Sequence, residues 1–179
     1  MKGRSGNGQD RAYQRAAATY GGAIERLVRG YESDPASRSD LVQDIHVALW
    51  RSFAYFEGQC SERSWVYRVA HNVAVTHLIR RRRLAGERLA GLDEVAELAG
   101  PDAEDLEASV ADRHLVEQLL ATIHRLRPAD RQVMLLYLED LSAVEIAEVT
   151  GLSPGAVSVR VHRIKSILCE PFGPSEAET

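Results

Sequence analysis

Apolar residues recur along this chain three and four positions apart, the period of a helix with one face turned to a core, and no stretch alternates as a strand would. The spacing predicts a first helix over about 10–30, with Ile24, Leu27 and Val28 on one side and an end near Gly30. Asp34-Pro35 then breaks the helix, and Ser37 or Ser39 can cap the next one. That helix carries Leu41, Ile45, Ala48, Leu49 and Phe53 at helical spacing. Gly58 marks a loop at 57–61, and a third long helix is predicted over 62–84, ending in the run Arg80–Arg83. From 85 to 111 the pattern weakens into Gly, Ala, Asp and Glu, which predicts a linker with a short helix near 92–98. Periodicity resumes at Leu115, Leu119, Ile123 and Leu126, stops at Pro128, and restarts through Val133, Leu136 and Tyr137. Two short helices, at about 143–149 and 154–168, precede a tail expected to fray. The expected fold is all-α: two small helical domains, 10–84 and 111–170, joined by a flexible acidic linker at 85–110.

Charge sharpens this division. The 179 residues sum to a net charge of −4, which by itself argues mildly against nucleic acid. Residues 1–83 nevertheless carry 14 basic and 8 acidic side chains, while residues 84–117 carry 2 and 10. The acid is concentrated in the linker and hides a basic front half. No apolar run approaches the roughly 20 residues that span a bilayer, and the first residues lack the apolar core of a signal peptide. Cys60 and Cys169 show neither a disulfide framework nor metal-ligand spacing, so a reducing cytoplasm is the expected compartment.

The strongest local motif is VEIAEVTGLSPGAVSVRVHRIKSIL, which has the build of a helix-turn-helix and makes a helix-turn-helix of the C-terminal domain. Ala147 is small where two helices cross, Gly151 suits the left-handed turn that ends the first, and Leu152 plugs the core. Ser153 can cap the second helix and Pro154 suits its first position. Val157, Val161, Ile164 and Leu168 form one buried face of that helix. Ser158, Arg160, His162, Arg163 and Lys165 occupy the others, and residues 153–168 contain no acid. An apolar back and a basic front are what a recognition helix needs in the major groove. An ordinary hairpin with a solvated basic face would share the pattern.

Six of the 11 aromatic residues fall between Trp50 and Tyr67, flanking the Gly58 loop. Aromatics beside a positive surface can stack unpaired bases. Trp50, Phe53 and Tyr67 read as core, whereas Phe56 and the loop are expected to be exposed. On the third helix Arg68, Asn72, Thr76 and Arg80 share one face, a possible nucleic-acid track that Arg80–Arg83 extends.

Three blocks in this order resemble a bacterial RNA polymerase sigma factor of the extracytoplasmic-function group of the sigma-70 family. DLVQDIHVALWRSF (40–53) resembles that family's polymerase-binding helix, and SWVYRVAHNVAVTHLIRRRR (64–83) its promoter-melting and minus-ten-reading helix. LRPADRQVMLLYLEDLSAVEIAEVTGLSPGAVSVRVHRIKSIL (126–168) resembles its minus-thirty-five-reading domain. The short connection at 84–110 leaves no room for the extra domain of larger sigma factors and agrees with the two-domain group. Arg38 and Ser39 stand where an acidic residue often precedes the polymerase-binding Asp-Leu. Ser158 and Val159 stand where relatives often carry Arg or Lys and Ser, so the promoter sequence does not transfer from relatives.

The resemblance implies that residues 10–84 form a region 2 domain and 111–170 a region 4 domain. It implies that Asp40, Gln43, Asp44, Val47 and Arg51 dock on the clamp helices of the polymerase largest subunit. It gives the loop with Phe56 and Ser61 the capture of a flipped minus-ten base, and sets Arg68, Asn72, Thr76 and Arg80 against the DNA beside it. The second helix of the C-terminal motif, with Ser153, Ser158, Arg160, His162, Arg163 and Lys165, would enter the major groove at minus thirty-five. The flap of the second-largest subunit, promoter DNA and an anti-sigma factor complete the implied partners. No membrane insertion, cofactor or metal is implied. The implied protein is not an enzyme: no nucleophile–base pair or phosphate-cradling glycine loop stands in the sequence, and its six histidines are scattered. The alternative is a helix-turn-helix regulator acting without core-polymerase exchange.

Overall fold

The computed structural model describes residues 6–84 and 110–169, which form seven α-helices with no strand among the described residues. The predicted short helix at 92–98 and the C-terminal tail lie outside them.

Helix α1 (Gly6–Arg29) begins earlier than the apolar pattern suggests, because two polar contacts hold its first turns. Gln9 Nε2 donates to the Trp50 carbonyl at 2.7 Å, and Asp10 Oδ1 accepts the Trp50 indole N–H at 2.8 Å. Its buried face is Ala12, Ala16, Ala23, Ile24, Leu27 and Val28. Helix α2 (Pro35–Ser52) is capped by Asp34, whose carboxylate accepts the Ser37 N–H at 2.7 Å, so neither Ser37 nor Ser39 is the cap. Pro35 at the first helical position fixes the start there, since its missing N–H needs no partner. Helix α3 (Glu62–Leu84) buries Val66, Tyr67, Ala70, His71, Ala74 and Leu78 between the first two. Trp50 is 42% exposed, contrary to the core placement expected for it. An indole with a surface carboxylate for its N–H can lie flat on the outside without an orphaned donor.

The second unit comprises α4 (Val110–Arg125), α5 (Pro128–Leu138), α6 (Ala143–Thr150) and α7 (Pro154–Cys169). Arg131, 2% exposed, turns its guanidinium back on the end of α4 and donates to the carbonyls of Ile123, His124 and Leu126. Burial pushes it down to about 10, still protonated at neutral pH, so it closes the open carbonyl end of α4 as a cation. Ser142 and Glu145 form a capping box on α6, and Gly151 at φ +76° ends it. Ser153 Oγ accepts the Ala156 N–H at 3.2 Å and starts α7, whose buried face is Val157, Val161, Ile164 and Leu168.

The two units share one continuous apolar core. Gly30 lies against α5: a Cβ there would lie 2.4 Å from Leu135 Cδ2. Beside it Arg131 lies 5.7 Å over the Tyr31 ring, and the His124 ring is 2.8 Å from the Arg29 carbonyl.

Candidate polymerase and nucleic-acid interfaces

On α2, burying Leu41, Ile45 and Leu49 turns the opposite side to solvent. Asp40, Gln43, Asp44, Val47 and Arg51 are all exposed there, and Val47 keeps 48% of its surface. Carboxylates around an exposed valine, with half-exposed Trp50 alongside, form a mixed face suited to another protein.

The loop differs from expectation. Phe56 does not stand in solvent: it is half-buried, edge-on to Phe53 at 5.9 Å and tilted against Trp65 at 5.3 Å. Apolar surface is the reason, because Phe53 offers a fully buried partner within three residues. The exposed aromatic is its neighbour Tyr55, at 75%. Ser61 is exposed, and its hydroxyl accepts the Ser64 N–H at 2.9 Å, so it also starts α3.

Asn72, Thr76 and Arg80 lie exposed on one face of α3, with Thr76 Oγ1 donating to the Asn72 carbonyl at 2.8 Å. Arg68 stands apart from them, because its guanidinium donates to the Glu148 carbonyl in α6. The arginine run is also uneven. Arg81 is tied to buried Glu32, which takes His77 Nε2 at 3.1 Å as well. Burial alone would raise the Glu32 carboxyl, but the Asp34 N–H, His77 and Arg81 outweigh it and hold it below the ordinary range.

On α7, Ser158 and His162 are exposed, and so is Val159, at 71%. Ser158 Oγ donates to the Pro154 carbonyl at 3.0 Å, and Lys165 Nζ to Tyr137 Oη at 2.9 Å. Arg160 and Arg163 converge on Asp130 of α5, at 3.1 and 2.7 Å. Composition flagged neither Asp130 nor Tyr137, since each sits outside the basic helix; only the packing of α5 on α7 brings them there.

Helices α3 and α6 join the two units through polar contacts. Ser64 Oγ donates to Glu148 Oε2 at 2.7 Å, and Arg63 meets Glu145 at 3.6 Å and the Glu139 carbonyl. The Glu139 carboxylate accepts Arg26 twice and the Tyr67 hydroxyl. Burial and this carboxylate push the Tyr67 hydroxyl up to about 12. Among the described residues no group of three or more His, Cys, Asp or Glu could hold a metal ion, and no helix is long and apolar enough to cross a membrane.

The α1–α3 unit thus stands beside a helix-turn-helix, and the exposed side of α2 carries Asp40, Gln43, Asp44, Val47 and Arg51. The Sigma-70 region 2 family model matches residues 17–84, and the Sigma-70, region 4 model matches residues 116–168. The chain is 31% identical over 168 residues to RNA polymerase sigma factor CnrH of Cupriavidus metallidurans, covering 90% of this chain and 87% of the relative. It is 30% identical to RNA polymerase sigma factor CarQ of Myxococcus xanthus, covering 93% and 90%. Among solved structures, CnrH in complex with the cytosolic domain of CnrY superposes with a TM-score of 0.66 at 24% identity, covering 96% of this chain and 94% of that one. The sigma factor RpoE of Bartonella quintana, in complex with the anti-sigma factor NepR, gives 0.67 at 17%, covering 92% and 98%. The chain belongs to the sigma-70 family of RNA polymerase sigma factors, in its extracytoplasmic-function group. It is a sigma factor that binds core RNA polymerase and directs promoter-specific transcription initiation.

Proposed function

We propose that the two units divide this work between named faces, with residues 10–84 acting as the region 2 domain, 85–110 as the linker and 111–170 as the region 4 domain. Asp40, Gln43, Asp44, Val47 and Arg51 dock on the clamp helices of the polymerase largest subunit. The observation that carries this is their common exposure on α2, opposite the buried stripe Leu41, Ile45 and Leu49. Asn72, Thr76 and Arg80 follow the DNA at the minus-ten element, with the loop at Tyr55–Ser61 beside the base that leaves the stack. Ser153, Ser158, Arg160, His162, Arg163 and Lys165 present α7 to the major groove at minus thirty-five, and the region 4 unit also meets the flap of the second-largest subunit.

The contact between α3 and α6 engages Arg63, Ser64 and Arg68. Parting of the two units releases the Arg68 guanidinium from the Glu148 carbonyl and frees it for DNA. Binding core polymerase, with separate docking points for the two units, supplies the free energy for that separation. The protein acts in the cytoplasm with the polymerase, has no catalytic activity of its own, and is restrained by an anti-sigma partner.

Replacing Gln43 and Asp44 together with alanine tests the docking face. Capture of core polymerase is expected to fall at least tenfold while the melting temperature stays constant, because both side chains are exposed. Undiminished capture overturns the assignment of this face.

A further inference from the structure

Asp130 is the third residue of α5, outside the basic helix, and its side chain is only 9% exposed. Each carboxylate oxygen takes a different guanidinium: Oδ1 accepts Arg160 Nη1 at 3.1 Å and Oδ2 accepts Arg163 Nη2 at 2.7 Å. The two arginines are three positions apart on α7, so their like charges are neighbours on the helix surface. One buried carboxylate between them offsets that repulsion and restricts the rotamers of both.

We propose that Asp130 is a positioning residue that sets sequence specificity at the upstream promoter element, by holding the Arg160 and Arg163 forks ready for DNA. The proposal rests on the reading that α7 enters the major groove. An arginine has five N–H donors in a planar fork, and Asp130 occupies one nitrogen of each. Arg163 keeps 58% of its side chain exposed and Arg160 keeps 34%, so both side chains still reach solvent while held. Reading a guanine edge needs such a fork held in one plane. Contact with phosphate needs only charge, and the buried carboxylate subtracts charge from the same surface. Asp130 therefore acts in two directions at once: it favours the directed contact and weakens the undirected one. A carboxylate that merely stabilised the fold would do neither.

The test uses the full chain assembled with core polymerase on promoters randomised across the upstream element. Asp130→Asn keeps the shape and removes the charge. It is expected to narrow the ratio between preferred and disfavoured upstream sequences about tenfold, the size of one directed contact. Binding to duplex lacking a promoter should rise severalfold and depend more steeply on salt. Asp130→Glu keeps the charge and displaces it, so non-promoter binding should stay low while discrimination recovers only in part; it also serves if the Asn variant unfolds. Arg163→Ala separates the two readings. If Arg163→Ala loses discrimination and Asp130→Asn keeps it in full, the positioning role is overturned and the groove reading stands. If Arg163→Ala and Arg160→Ala leave discrimination untouched, the groove reading fails and takes this proposal with it.

Discussion

Arg26 of α1 and Glu139 at the end of α5 form a two-pronged ion pair, with Nε to Oε1 at 2.7 Å and Nη2 to Oε2 at 2.8 Å. Its hydrogen bonds to Glu139 hold the Arg26 guanidinium above its ordinary range. The arginine is 63% exposed and Glu139 only 12%, so solvent screens one partner far more than the other. Glu139 also takes Tyr67, and its carbonyl takes Arg63, so one residue gathers three side chains of the N-terminal unit. Replacing it with alanine should weaken the union of the units by about 1–2 kcal/mol. Small-angle scattering should then show a larger radius of gyration for the free protein. An unchanged radius would mean that the shared core alone holds them together.

Gly30→Ala tests that core directly. Its new methyl would meet Leu135 Cδ2 at 2.4 Å and Cδ1 at 2.8 Å, and Leu135 is itself buried. Overpacking of this kind costs about 1–3 kcal/mol. Hydrogen exchange should quicken in α5 and at the end of α1 while α2 stays protected. Uniform protection throughout would show that Leu135 turns aside at no cost.

Burial pushes the His71 imidazole down to about 3, with Tyr31 Oη 2.9 Å from its Nδ1. Between that value and the ordinary 6.5 the unfolded chain takes up a proton that the folded chain refuses. Stability is therefore complete above pH 6.5 and drains away below it, on the order of 1 kcal/mol per pH unit. Burial lowers His124 too, in the same direction, and Glu32 adds its loss only below the usual carboxylate range. The melting temperature should be level above pH 7 and fall from pH 6.5 to 5, with a shallower fall in His71→Gln. Parallel curves for the two proteins would contradict this.

Tyr55 and Phe56 should separate function from stability. Phe56→Ala opens a gap beside Phe53 and Trp65 and should cost about 2 kcal/mol in thermal unfolding. Tyr55→Ala removes an exposed ring and should leave stability alone, yet slow the rise of 2-aminopurine fluorescence when a minus-ten base unstacks. Equal melting temperatures for the two variants would contradict the placement of Phe56. Unchanged promoter opening by Tyr55→Ala would remove that ring from the melting step.

Where a helix carried its own instructions, its sequence was enough to place it. Gly151 and Ser153 mark the turn between α6 and α7, and Val157, Val161, Ile164 and Leu168 mark the inner face of α7, all within a short stretch. The buried stripe of α2 was legible for the same reason, since helical spacing alone puts Leu41, Ile45 and Leu49 on one face. What escaped depends on distant chain segments or on competition between neighbours. Asp34 displaced Ser37 and Ser39 as the cap because Pro35 follows it directly. Trp50 found a carboxylate in α1, and Phe56 found Phe53 and Trp65. Asp130 lies outside the basic helix whose arginines it holds, and Gly30 meets a leucine of the other unit. No local pattern announces such pairs.

The most direct measurement is run-off transcription with core RNA polymerase on a genomic fragment library, with and without this protein. Addition of the protein should restore initiation at a small set of start sites that share an upstream and a downstream element, and the protein should co-purify with core polymerase. No promoter-specific product and no association with core polymerase, from a folded preparation, would contradict its action as a sigma factor.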